Sequence, residues 1–411
     1  MPVPTAQTTG YELLTADTVP AYVADQPRLA QLVDPLTLVV SEVGDGNLNL
    51  VFLCRDGRGR GLCLKQALPY VRLVGADWPL TPKRAVAEAR SYQLSTRVAP
   101  EYVPRFYGLD VQRYIVAMEA LLDWAVWRSA LNDGRAHPEA GPDMGCYIAR
   151  IAFGTSVFGL EAGAHKAQLA EAINPELCKI TEDLVFTEPY VDHPHNSYAP
   201  GVAPAVERLR ADNRIAAAVQ ALKYTFMTHA ESLVHGDLHT GSVMVSPRGG
   251  HPARAIDPEF CFYGPVSFDI GALFGNYLLA RVRAEVLGRP TSFRDWVRGL
   301  PQDTWQAFES EMWRQWPGRA DASFGDGFLN DWLGEVLREA VGFGGCKAIR
   351  RIIGLAKASD IQTLDGPLHV AAASAALRTA RRWLLERASL NRVADLVALT
   401  DDSLAESLAQ A

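Results

Sequence analysis

Residues 233–246 read LVHGDLHTGSVMVS. An aspartate stands between two histidines (His235, Asp237, His239), Thr240-Gly241-Ser242 follows, and the chain then turns apolar. Three readings compete: a metal site on the histidines, a catalytic loop around Asp237, and a plain turn before a strand. Histidines four apart chelate well when they share a helix face, but Gly236 and the Thr-Gly-Ser run favour a loop. The flanks extend that reading. Ile215, Val219, Leu222 and Phe226 fall at i, i+4, i+7 and i+11, one apolar stripe on a helix that ends just before the loop. Val243–Val245 reads as a strand, Gly249-Gly250 as a turn, and Ala253–Ile256 as a second strand that runs into Asp257-Pro258-Glu259.

A hairpin with carboxylates at neighbouring ends suits phosphoryl transfer. One carboxylate can orient and deprotonate a hydroxyl while others hold Mg²⁺ between phosphates. Asp257 and Glu259, two apart, are expected on one side of an extended segment, with the oxygen ligands that Mg²⁺ prefers. In this arrangement His235 hydrogen-bonds backbone behind the site and His239 packs the loop. Asp269, in SFDIG, either bonds the loop backbone or caps the next helix.

Upstream, residues 1 to about 40 read as one or two short helices. Leu48, Leu50 and Phe52 alternate, Asp56-Gly57 turns, and Leu62 and Leu64 resume the alternation up to Lys65. The hairpin is entered through GDGNLN (Gly44–Asn49). Glycines let a backbone pass close over phosphates, and a strand-borne Lys supplies a point charge to them. A plain hairpin entrance competes, because Asn49 replaces the last glycine of GxGxxG. The same pattern recurs as GDGFLN (Gly325–Asn330) with neither strand nor Lys after it, and is expected to be a loop. A helix is expected over Thr81–Arg97 with Pro82 at N1. Its Glu88 can pair with Lys65 or lie on a solvated face. YIVAMEAL then reads as a buried strand whose end could receive an adenine edge or merely connect.

Beyond Leu121 the texture becomes long helices. The expected fold class is therefore α+β and bilobal: a sheet-rich lobe over 1–120 carrying the glycine loop and Lys65, and a larger helical lobe over 121–411 carrying the catalytic loop, metal site and substrate pocket. The cleft between lobes is the natural site. Arg350 and Arg351 sit side by side among Ile349, Ile352 and Ile353. Adjacent helix positions diverge by about 100°, so at least one points inward, to clamp a phosphate or sugar or to pair with a helix carboxylate.

The whole chain sets bounds. Its 411 residues carry 40 Lys+Arg against 47 Asp+Glu, a net charge of -7, with no long basic run, so neither nucleic acid nor an anionic membrane is expected as partner. Six scattered cysteines without CxxC spacing argue against a disulfide framework or a zinc site. The N-terminal residues lack a charged segment followed by an apolar one, and no apolar run is of membrane-spanning length. A cytoplasmic protein acting on a small molecule is expected.

At GDGNLNLVF, KQALPYVRLVGADWPLT, HGDLHTGS, IDPEFCFYGPVSFDIG and GFGGCKAIRRIIGLA the chain resembles the S-methyl-5-thioribose kinases, within the protein-kinase-like and aminoglycoside-phosphotransferase-like enzymes. The resemblance runs from about residue 40 to 360. It implies a protein-kinase-like fold and ATP-dependent phosphorylation of the 1-hydroxyl of 5-methylthioribose in methionine salvage, with Mg²⁺ and usually as a homodimer. It makes Asp237 the catalytic base and a substrate contact, Lys65 the ATP-phosphate lysine, and Asn47 or Asn49 with Glu119, Ala120 and Leu121 nucleotide contacts. Asp257, Pro258 and Glu259 become the ATP and metal segment, with Asp257 and Glu259 the ligands, and Arg350-Arg351 the substrate clamp. The chain departs from the pattern at Ala120, which leaves the adenine contacts there open. Rival acceptors are a related 5-deoxypentose or an aminoglycoside; a rival of another class is a nucleotide-binding pseudokinase. Residues beyond about 385 lie past these motifs and are expected to form a helical appendage.

Overall fold

The alternation of Leu48, Leu50 and Phe52 is that of a strand with one covered face, and the covering elements lie N-terminal to it. The computed structural model of the chain describes residues 11–44, 48–72, 75–247 and 249–408. It divides into two units, Met1–Asp123 and Trp124–Ala411.

In the first unit β1 (Val39–Glu42), β2 (Asn49–Arg55), β3 (Gly61–Ala67), β6 (Phe106–Asp110) and β7 (Ile115–Glu119) form an antiparallel sheet in the order β1-β2-β3-β7-β6, while β4 (Tyr70–Val71) and β5 (Gly75–Pro79) pair separately. Phe52, Cys54, Leu62, Leu64, Ile115 and Ala117 share one face and bury it against Val19, Tyr22, Val23 and Leu29 of two short helices, Val19–Ala24 and Pro27–Leu32. Side chains alternate across a strand, so Lys65, paired in register with Val51 and Val116, lies on the opposite face. That face meets the Arg84–Val98 helix. Pro82 is not its N1 residue: Ala85 N donates to Pro82 O, and the helix begins after this turn, with Lys83 at the N-cap.

The second unit is mostly helical. β8 (Ala125–Val126), β10 (Val243–Val245) and β11 (Arg254–Ala255) make one small ladder, and β9 (Ser232–Val234) pairs with β12 (Phe262–Gly264). The Asn213–Thr228 helix buries the four residues of its stripe, and its Phe226 meets Phe268 at 4.8 Å between ring centroids. The Ser267–Val286 helix crosses the Asp326–Ile353 helix at unusually close range. A Cβ at Gly271 would lie 2.7 Å from Ala340 O, and one at Gly275 would lie 2.6 Å from Gly344 O. The glycines of GALFG and GFGGC therefore set the distance between these helices, and with it the placement of everything the second one carries.

Two expectations fail here. GDGFLN is not a loop: Gly325 is the N-cap, and the helix starts at Asp326, whose carboxylate accepts from Trp316 Nε1 at 3.1 Å. An acidic residue in the first turn is favourable, so the pattern that enters a hairpin at Gly44 starts a helix at Gly325. Nor is the C-terminal segment an appendage. The Val393–Leu408 helix buries Leu396, Leu399 and Leu404, Thr400 Oγ1 accepts from Trp383 Nε1 at 3.1 Å, and Ser403 hydrogen-bonds Thr379 at 2.9 Å.

Candidate active site

The 235–242 loop begins where β9 ends. Gly236 has φ +82°, and a Cβ there would stand 2.2 Å from the Phe260 carbonyl oxygen; glycine alone meets both demands. Gly236→Ala is expected to destabilise the protein by more than about 3 kcal/mol, through backbone strain and overpacking together. An unchanged urea midpoint would contradict this. Asp269, in the first turn of the Ser267–Val286 helix, accepts the His235 amide at 2.6 Å and the Gly236 amide at 3.0 Å. The N-cap position belongs to Val266. Asp269 thus clamps the loop backbone, and burial pushes its carboxyl up.

The hydrogen bonds fix both histidine tautomers. His235 Nδ1 accepts the Asp237 amide at 3.3 Å and Nε2 donates to Ile256 O at 2.8 Å, since a carbonyl can only accept. Both nitrogens of His235 are therefore committed inside the loop, so the two histidines do not offer a shared pair of metal donors. His239 Nδ1 accepts the Gly241 amide at 3.0 Å, leaving its proton on Nε2, 3.3 Å from Asp237 Oδ2. Burial drives His239 down to about 3, so it is neutral, and Nε2–H points at the carboxylate. His239 does more than pack the loop: it orients Asp237.

Asp237 meets the Asp326–Ile353 helix. Lys347 Nζ lies 3.0 Å from Oδ1 and Arg351 Nη2 3.9 Å from Oδ2. Arg350 is buried beside them and within electrostatic reach of the same carboxylate. Burial alone would raise the Asp237 carboxyl; Lys347, His239 and Arg351 outweigh it and hold it well below the usual carboxylate range. Asp237 keeps 20% of its side-chain surface, enough for a ligand to reach it. Lys347 packs on Phe268, with Nζ 4.4 Å from the ring centroid.

The cations outnumber the carboxylate. Burial pulls Lys347, Arg350 and Arg351 below their ordinary values, and so does repulsion from neighbouring arginines, Arg128 among them; guanidinium groups keep their charge all the same. Arg350 Nε is buried without a hydrogen-bond partner. Arg128 adds a further cation, 3.0 Å from the buried Asp360. Desolvated positive charge in such excess calls for an anion. The Arg pair is thus brought to Asp237 as a unit, both members buried. Lys347 is the residue the sequence reading missed, although Lys347, Arg350 and Arg351 stand at i, i+3 and i+4, one helix face.

The Asp257-Pro258-Glu259 segment departs from expectation. It is not extended: Asp257 is left-handed (φ +63°, ψ +47°) and Pro258–Phe260 is a turn of 3-10 helix. The residue before a proline ordinarily stays extended; Asp257 does not, and the turn that follows takes the segment out of strand alternation. The turn is held firmly nonetheless. Asn174 Nδ2 donates to Glu259 O at 2.8 Å and Cys261 O at 3.1 Å, and Ile256 N donates to Ser242 O at 2.9 Å. Ile256 also receives His235, so the turn and the 235–242 loop share hydrogen bonds. Asp257 and the buried Glu259 bring two carboxylates on a constrained turn, a hard oxygen donor set that fits Mg²⁺.

Within the first unit, Lys65 Nζ lies 3.0 Å from Glu88 of the Arg84–Val98 helix, both buried. The paired alternative for Glu88 is the one found. Asn49 is buried, and its Oδ1 accepts from Arg84 Nη2 at 2.9 Å. The same guanidinium donates to Leu48 O and Leu68 O, each at 2.7 Å. Arg84, missed in the sequence, anchors the hairpin entrance, and Asn49 is part of that anchor. Asn47 lies outside the described residues. Glu119 ends β7, and its carboxylate accepts the Arg105 amide at 3.1 Å. Gly61 lets the following residues pass, since a Cβ there would stand 3.0 Å from Ala120 Cβ and 2.7 Å from Leu122 Cδ1. Leu121 follows in the same irregular segment after β7.

The chain as a whole is similar to known proteins. Residues 39–301 match the phosphotransferase enzyme family. The chain is 41% identical over 390 residues to a methylthioribose kinase of Geobacillus kaustophilus, covering 93% of this chain and 95% of that one. It is 38% identical over 382 residues to a methylthioribose kinase of Yersinia enterocolitica, covering 90% and 94%. Among solved structures, an ethanolamine kinase of Plasmodium vivax aligns over 97% of this chain and 90% of its own, at 13% identity and a TM-score of 0.43.

Proposed function

The chain belongs to the methylthioribose kinases of the phosphotransferase enzyme family, and from that premise we propose that it transfers the γ-phosphoryl group of ATP to the 1-hydroxyl of S-methyl-5-thio-D-ribose, giving the 1-phosphate in methionine salvage. The observation that carries the reading is the buried group Lys347, Arg350 and Arg351 gathered around the Asp237 carboxylate. Phosphoryl transfer needs positive charge around the transferring group and a carboxylate on the attacking hydroxyl.

In this reading Asp237 accepts the hydroxyl proton as the sugar oxygen bonds phosphorus and ADP leaves. A carboxylate held this far below its ordinary range is a weak base, so its main work is to orient the hydroxyl. The proton follows late, as a loose transition state permits. His239 holds the carboxylate in place. Arg350 and Arg351 clamp the sugar and the arriving phosphoryl oxygens. Lys65, kept in position by Glu88, binds nucleotide phosphates, and the residues from Glu119 through Ala120 to Leu121 receive the adenine edge. Asp257 and Glu259, with Pro258 fixing their turn, would hold Mg²⁺; that ion supplies charge neutralisation between the phosphates. No helix among the described residues is long and apolar enough to cross a membrane; the cytoplasmic location is proposed from the family resemblance. The homodimer, proposed from the family resemblance, is checked by sedimentation.

Steady-state rates with Mg·ATP on 5-methylthioribose, 5-deoxyribose, ribose and kanamycin test the acceptor. The expected order places 5-methylthioribose first in kcat/KM. Because one missing methylene-sized group is worth ~1–3 kcal/mol and 5-deoxyribose lacks both the sulfur and its methyl, 5-deoxyribose is expected to be poorer by at least about 10-fold. Comparable or better turnover of another acceptor would overturn the assignment.

A further inference from the structure

Away from Asp237, the segment after the Pro175–Phe186 helix brings together Glu188, His193 and His195, whose potential ligand atoms all lie within 4.8 Å of one another. We propose that these three side chains form a binding site for one divalent transition-metal ion of the zinc class, and that the ion staples this segment to the end of the helix that carries Arg350 and Arg351.

The donor geometry is the first argument. Glu188 Oε2 is 2.9 Å from His195 Nδ1 and 3.5 Å from His193 Nδ1. Ligand atoms about 2.0–2.1 Å from a tetrahedral zinc stand about 3.3 Å apart, so the two distances bracket what a shared ion requires. Two imidazoles and a carboxylate are the donor set of zinc and its neighbours, whereas Mg²⁺ prefers oxygen alone. Without an ion, Nδ1 of His195 and Glu188 share a hydrogen bond, and Nδ1 of His193 takes the His195 amide at a long 3.3 Å. On binding, His193 already holds its proton on Nε2, whereas His195, which donates Nδ1–H to the Glu188 carboxylate, shifts its proton to Nε2 through solvent and frees the Nδ1 lone pair, so no net proton need leave the protein.

Support around the ligands is the second argument. Glu188 is buried, and Asn196 Nδ2 donates to Glu188 O at 2.7 Å and Val191 O at 3.0 Å, closing the segment into a preformed loop. The histidine side chains keep 32% and 34% of their surface, which leaves an entry path and room for water at the remaining position.

The third argument is where the loop is attached. Ser197 N donates to Ile353 O at 2.9 Å. Lys357 Nζ joins Ser197 O to the helix-terminal carbonyls of Ile352 (2.7 Å) and Ile353 (3.0 Å). The Tyr190 hydroxyl is buried beside Cys346, the neighbour of Lys347. An ion on Glu188, His193 and His195 therefore fixes a segment that grips the last turn of the arginine-bearing helix.

The test uses the tag-free full-length protein, stripped with chelator and titrated with ZnCl₂ by calorimetry against a competing chelator. Co²⁺ absorption serves as the geometric probe. Wild type is expected to bind one ion at this site and to show Co²⁺ d–d bands. His193→Ala, His195→Ala and Glu188→Gln are each expected to weaken binding by more than about 10-fold, while His251→Ala, outside the cluster, leaves it unchanged. Circular dichroism of each variant separates lost binding from lost fold. Hydrogen exchange at residues 350–354 is expected to slow on adding Zn²⁺ to wild type and not to change in His195→Ala. Absence of Zn²⁺ binding would overturn the proposal. So would binding that survives in folded His193→Ala and His195→Ala, which would place the ion elsewhere in the chain.

Discussion

Asp237→Asn is expected to lower kcat by about 10²–10⁴-fold, the usual contribution of a positioned acid–base group, while ATP still binds. The amide keeps the size of the carboxylate and can still meet His239 or Lys347 through one atom, but it can neither accept a proton nor balance the buried cations. Lys347, Arg350 and Arg351 would then lose the carboxylate that all three share. Single-turnover phosphate transfer, paired with nucleotide titration by thermal shift, reads the two properties separately. A variant that retains turnover would remove Asp237 from the chemistry, and one that loses ATP binding would make its role structural.

Lys347→Met carries the second large effect, and it has a pH signature. Lys347 is the nearest counter-charge to Asp237 and opposes the effect of burial, which by itself raises the carboxyl. The folded-state value of Asp237 is depressed. Its ionised form therefore adds stability that is present above the unfolded-state value of about 3.9 and is lost as pH falls through the folded value. Without Lys347 the folded value moves up, so both the acid limb of kcat/KM and the acid loss of stability move to higher pH. At neutral pH the carboxylate stays ionised, and the rate still falls by about 10²–10³-fold because a buried positive charge beside Asp237 is gone. The measurements are pH–rate profiles of kcat/KM and urea midpoints across the acid range. An acid limb that stays in place would show that Lys347 does not set the state of Asp237.

Much of this was legible in the sequence because the relevant signals are local. Alternation across Phe52, Leu62 and Leu64 marked the sheet, the Ile215–Phe226 stripe marked the helix before the loop, and Gly236 marked a turn that no other residue can make. The Glu88–Lys65 pair and the Asp269 clamp were each one of two alternatives the sequence offered, and the structure selects them. What escaped depended on context. GDGFLN has the composition of a loop, but its first glycine serves as an N-cap once Leu329 and Leu333 are drawn into the core. The Asp257 turn was read as a strand end because nothing local announces a left-handed aspartate before a proline. Lys347 was hidden by its more conspicuous arginine neighbours, and its importance emerges only when the close helix crossing at Gly271 and Gly275 brings that face to Asp237. The Glu188–His193–His195 group was invisible for a related reason: it depends on a short irregular segment folding back on itself.

The most direct test of the central claim is the ³¹P NMR spectrum of a reaction containing the protein, Mg·ATP and 5-methylthioribose. The account predicts one new phosphate resonance, coupled to the anomeric proton of the sugar and growing in step with ADP, and its absence in Asp237→Asn. A phosphate attached at any other hydroxyl, or ADP formed with no sugar phosphate at all, would contradict it.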